Sequence, residues 1–141
     1  MVRSVVSLCF IVTLVAAASS AQSPGQRQYY ADWKKHTAKN YYYRYYYYKK
    51  SSTDKEYAYH YGIYFPSRGK RVFMFNPESR KYWGVWEGEK YSLLAPEKQS
   101  TSIDEISIDD FPPPGAAPNI PGVDEKIAMI PPPNDFPKLK K

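Results

Sequence analysis

"NYYYRYYYYKK", residues 40–50, holds seven of the fifteen tyrosines in this 141-residue chain, and its reading decides the fold. Read as a strand, it puts Tyr41, Tyr43, Tyr45 and Tyr47 on one face and Arg44 on the other. That is the alternation of a half-buried strand, made of a residue type with high β-propensity. Read as a solvated basic arm, the same run leaves its rings free to bind a partner. The strand reading predicts an extra edge strand over residues 41–49, with "KKSSTDKE" as the polar loop leading onward.

Beyond that loop lies the firmest strand pattern in the chain. In "YAYHYGIYF" (residues 57–65), Tyr57, Tyr59, Tyr61, Ile63 and Phe65 alternate with Ala58, His60, Gly62 and Tyr64. "PSRG" then offers a turn, Pro66 presetting one dihedral and Gly69 free to take positive φ. "KRVFMF" reads as the return strand, "NPES" as a type I turn, and "KYWGVWE" as a third strand with Gly84 at a bulge or close approach. "EGEK" turns the chain into "YSLL". The expectation is a mainly β protein: a small antiparallel meander of three or four strands over residues 57–94.

On either side of the meander the composition changes. Residues 1–21 read as a secretory signal peptide forming a leader helix: Arg3, then "VVSLCFIVTLV", then the small residues of "AAASSA", with cleavage expected before Gln22. The apolar run is too short for a stable membrane span. Residues 22–56 form a basic, tyrosine-rich lead, and residues 95–141 an acidic and then proline-rich extended tail. Within that tail "STSIDEI" carries a capping-box pattern, Ser102 with Glu105. "FPPPGAAPNIPG" and "IPPPNDFP" should run extended. Residues 22–90 hold 14 Lys and Arg against 6 Asp and Glu, while residues 91–141 hold 5 against 8. A basic body and an acidic tail suit a tail laid back on the body, and equally two solvated regions that ignore each other.

Cys9, the only cysteine, lies in the expected leader, so no disulfide is available to the chain from Gln22 onward. A single-layer meander of 38 residues is below the size that persists without disulfides, metal or association. Its rings therefore need a cover: the tyrosine run, the proline tail, or another molecule.

"HYGIYFPSRGKRVFMFNPESRKYWGVWEGEKYSLLAPE", followed by "SIDEI", "DDFPPPGAAPNIPG" and "IPPPNDFP", resembles a family of small secreted bacterial proteins. Its shared elements are a tyrosine-rich lead, a "YPSR" turn, an "NP…YWG" hairpin, a "YSLLAPE" segment and proline-rich boxes. "FPSR" stands here in place of the tyrosine form. The resemblance implies an exported module and brings no catalytic residue with it. "GKRVFMFNPESRKYW" is also similar to the second and third strands of WW domains, which bind proline-rich peptides, although the first-strand tryptophan of that family is absent.

The chemistry on offer points away from catalysis. No nucleophile–base pattern, metalloprotease motif or phosphate loop occurs, and His36 and His60 are the only histidines. Asp104, Glu105, Asp109 and Asp110 lack the spacing of a calcium loop. No cofactor, metal or nucleic acid is expected. Arg27, Lys34, Lys35, Lys39, Arg44, Lys49 and Lys50, interleaved with Trp33 and the tyrosines, suit anionic polysaccharide or envelope surfaces, and tyrosine with lysine also suits oxidative cross-linking. The expected role is that of a secreted or periplasmic, non-enzymatic structural or interaction protein. Its partner would be an anionic polysaccharide, an envelope surface, another protein or a second copy. The alternative is a carbohydrate- or proline-peptide-binding module with Tyr64, Trp83 and Trp86 as its platform and Arg68 and Lys70 beside it.

Overall fold

A computed structural model describes residues 26–138, and the expected leader lies outside them. The described chain is one curled antiparallel sheet. Its strands are β1 (Gln28–Tyr30), β2 (Lys34–Lys35), β3 (Tyr42–Tyr48), β4 (Ala58–Tyr64), β5 (Val72–Asn76), β6 (Lys81–Glu87) and β7 (Lys90–Leu93). The order across the sheet is β1-β3-β4-β5-β6-β7, with β2 paired to the other end of β3. The mainly β expectation holds, but seven strands replace the three or four expected. β3 is also interior rather than an edge: Tyr46 pairs with His60 of β4 on one side and with Tyr30 of β1 on the other. The segments that flank it, only three and two residues long, are too short to show a period.

Turn chemistry sets the register of each hairpin. Pro66–Arg68 forms a single 3-10 turn, and Gly69 leaves it at φ +81. After β5, Asn76 Oδ1 accepts from the Glu78 amide at 2.9 Å, and the Arg80 amide donates to Asn76 O at 2.7 Å. The loop is thus one residue wider than the expected type I turn, and Arg80 closes it in the left-handed region, φ 61.

The β5–β6 pairing contains an irregularity. Met74 faces Gly84 and Phe75 faces Tyr82, so Trp83 is the extra residue of a bulge. The bulge breaks the alternation of "KYWGVWE". Tyr82 and Val85 share one face, while Trp83 packs with Trp86 on the other. Gly84 marks a close approach as expected, though to a side chain: a Cβ there would overlap the Tyr91 phenol.

Both faces of the sheet are covered, at least in part, by the C-terminal third of the chain. Residues 94–111 lie on one face, where Leu94 and Ile106 join Ile63, Phe73, Tyr82 and Val85 in a buried cluster, with Ile103 and Phe111 packed against it. There the complete capping box is at Ser107 with Asp110, not at Ser102. Ser102 does cap a turn by accepting from the Asp104 amide, but Glu105 accepts instead from the Ser100 hydroxyl at 2.5 Å. The chain then rounds the β7 edge, where Gly115 and Tyr91 exchange backbone hydrogen bonds of 2.7 and 2.9 Å. Residues 117–136 cross the opposite face, burying Ile120 and Met129 against Tyr30, Tyr46, Tyr48, Val72, Met74, Trp86 and Tyr91.

Polar contacts fix this second cover. Tyr30 Oη donates to Ile130 O at 2.8 Å. Gln28 donates to Ala128 O and accepts from the Ile130 amide. Arg44, 2% exposed, meets Asp135 at 2.8 Å and also donates to Ala31 O at 2.7 Å. Its guanidinium lies 4.6 Å from the Trp33 ring centroid, in a cation–π arrangement. A buried charge needs this sort of partner set to be tolerated.

Candidate functional site

The platform expected from the sequence lies within the core. Trp86 is 1% exposed and Tyr64 is 5% exposed, with Phe136 of the tail packed on Tyr64 at 4.8 Å. Trp83, half-buried, donates its indole N–H to His60 Nδ1 at 2.9 Å. These rings belong to the face that residues 117–136 cover. Arg68 donates to Ile103 O and Ile106 O, both at 3.2 Å, and so holds down the first cover. Lys70 borders a cleft of about 500 Å³ between the Trp86 end of the sheet and Pro131, Pro132 and Pro133.

His60 is a packed strand histidine. Burial, with the charge of Lys50 adding to it, lowers its pKa to about 4. At neutral pH it is therefore an uncharged acceptor for Trp83. Among the described residues no group of three His, Cys, Asp or Glu side chains converges as metal ligands would. Asp110 lies 3.6 Å from Lys98, and Asp104 lies 4.0 Å from Arg68. No described helix is long and apolar enough to cross a membrane.

The uncovered aromatic surface is the outward face of β3 and β4. Alternation along the two strands brings Tyr43, Tyr45, Tyr47, Tyr59 and Tyr61 together, and Tyr29 and Tyr57 extend the group at the β1 end. Tyr45 stacks on Tyr47 with ring centroids 5.5 Å apart, and Tyr47 stacks on Tyr29 at 5.1 Å. Tyr59 and Tyr61 meet Tyr45 at 5.2 and 5.1 Å. These separations suit attractive aromatic pairing. Tyr59 is 38% exposed, and all the others keep part of their surface in solvent. Burial, then a hydrogen bond with Tyr45, raises the Tyr61 phenol above its ordinary range, so it stays a neutral donor and acceptor.

At its β5–β6 end this face descends into an open cleft of about 700 Å³. Tyr43, Tyr45 and Tyr61 continue into it as a floor. His36, Lys39, Arg80, Thr101, Ser102 and Asp104 also line it, with Lys39 in the β2–β3 turn and Arg80 in the β5–β6 turn. His36 is held by ring contact with Tyr41 at 4.8 Å and by accepting from the Ala38 amide at Nδ1. Lys49 marks the opposite end of the face, its Nζ 5.1 Å from the Tyr57 ring centroid.

The alternation of residues 57–65 places Tyr59 and Tyr61 together. It does not reveal that this face stays open, because that depends on where residues 94–136 travel. No family model, curated protein or solved structure matches the chain.

Proposed function

We propose that this chain is an exported, non-enzymatic module that binds saccharide polymer at the cell exterior through the open tyrosine face of β3 and β4. The carrying observation is the seven-ring group itself. Tyrosine presents an apolar body and a polar tip. A contiguous array of such rings, some stacked and some edge-on, offers contact surface to the C–H faces of sugars, and its phenols offer hydrogen bonds to their hydroxyls. A contiguous patch of partly exposed rings of this kind is the usual mark of an interaction surface. The leader-like residues 1–21 support an external setting. The proline-peptide alternative on Tyr64, Trp83 and Trp86 is disfavoured because the chain's own Phe136 and neighbouring residues occupy that face.

Retention of the purified chain on insoluble polysaccharides tests the reading. A Tyr47→Ala/Tyr59→Ala variant should bind about tenfold more weakly, the loss expected from one or two aromatic contacts, while still melting cooperatively. Equal binding by variant and parent, or no retention of the parent on any polymer, overturns the proposal.

A further inference from the structure

Resting on that reading, we infer that the cleft beside the tyrosine face, lined by Lys39 and Arg80, takes acidic sugar units, so that the preferred polymer is a polyuronate. Three observations converge on it. The first is continuity: Tyr43, Tyr45 and Tyr61 belong both to the open face and to the floor of the cleft, so a polymer laid on the rings runs into it. Its volume, about 700 Å³, is in the range of pockets that hold small organic ligands.

The second is charge. Lys39 and Arg80 are exposed on the border, and among the described residues neither forms an ion pair. The carboxylate that lines the same cleft, Asp104, stands 4.0 Å from Arg68. Cations at two points on a ring-lined cleft complement successive carboxylates of a polyuronate, and the guanidinium can engage one carboxylate with two parallel N–H donors.

The third is the backbone of Arg80, which stands at φ 61, a region where glycine is the low-cost residue. It is the one described non-glycine residue there. A large side chain held in that conformation at the mouth of a cleft points to a use for the side chain rather than for the turn.

The test compares the purified chain on polygalacturonate and on a neutral glucan of similar length, at low and high salt. The parent should prefer the polyuronate about tenfold at low salt and lose that preference at high salt. Lys39→Gln/Arg80→Gln should bind both polymers alike, at the parent's affinity for the neutral one. Arg80→Gly separates use from folding: it relieves the backbone and should melt no lower than the parent, yet lose the same preference. An undiminished preference in Lys39→Gln/Arg80→Gln or in Arg80→Gly overturns the acidic subsite while leaving the tyrosine face in place. Failure of the parent on these two polymers while it binds another polysaccharide, or a preference for the neutral glucan, overturns this reading alone, and failure on every polymer overturns both.

Discussion

Strand β3 carries nearly the same side chain on both of its faces, and the two faces have opposite fates. Tyr46 and Tyr48 are 0% and 4% exposed, whereas Tyr43, Tyr45 and Tyr47 remain partly in water. Intrinsic propensity cannot separate them. The difference lies in the neighbours each face can recruit. On the covered face Arg44 offers a buried cation for Asp135, and the Tyr46 hydroxyl donates to Gln28, which is itself bonded to the tail backbone at residues 128 and 130. The buried polar tips of Arg44 and Tyr46 find partners there, while Trp86 Nε1 and Tyr91 Oη on the same face are buried without one. The open face offers rings with little anchoring for a chain segment, and its tyrosines pack on one another.

The comparison is most severely tested by ending the chain at residue 116. That removes Ile120, Met129, Asp135 and Phe136 and bares Tyr30, Tyr46, Met74 and Trp86. Losing this burial should cost more than about 5 kcal/mol, the scale of a whole domain's stability. The expected outcome is a non-cooperative melt with strong dye binding to apolar surface. A cooperative melt close to that of the full chain would show that the covered face needs no cover.

Acid probes the same face without deleting anything. The folded pKa of His60, about 4, lies below the ordinary histidine value of 6.5. Between those values the unfolded chain binds the extra proton. Stability from this group is therefore fully present above about pH 6.5 and lost as pH falls towards 4, by an amount on the order of 3 kcal/mol. Protonation puts a hydrogen on Nδ1, the atom that accepts from Trp83, and so costs that hydrogen bond. Urea midpoints from pH 7 to pH 4 should fall in the parent and stay flatter in His60→Gln; parallel curves would remove His60 as the cause.

Smaller still is the clamp. Asp135→Ala should lower stability by about 1–2 kcal/mol, less than a fully buried pair, because the carboxylate is 54% exposed. Arg44 also keeps its bond to Ala31 O. A double-mutant cycle with Arg44→Met measures the coupling, and a value near zero would mean that packing alone holds the tail. Least costly is Tyr59→Ala on the open face, expected at below about 1 kcal/mol. A larger loss would mark the tyrosine group as a core rather than a surface.

Much of the sheet is legible in the residues. β4 to β7 fall on "YAYHYGIYF", "KRVFMF", "KYWGVWE" and "YSLL", since each has a strand pattern and turn residues between. The tyrosine run is a strand, as its alternation suggests, yet not the edge expected, because "QYY" and "KK" ahead of it are too brief to carry any period. The site is harder to see. Alternation tells which residues share a face but not which face another segment will cover. A platform of Tyr64, Trp83 and Trp86 requires the tail to lie elsewhere, and it does not. The bulge at Trp83 also shifts that ring across the sheet, an effect that one residue of slippage produces and a repeating pattern cannot register.

The bond from Tyr30 to Ile130 joins residues a hundred positions apart, near the two limits of the described chain. A growing polypeptide therefore holds its first strand long before the segment that seals it has been synthesised. The half-made molecule waits with one side unsealed until residues 117–136 emerge. Sealing of that side depends on contacts of very long sequence separation, which form slowly.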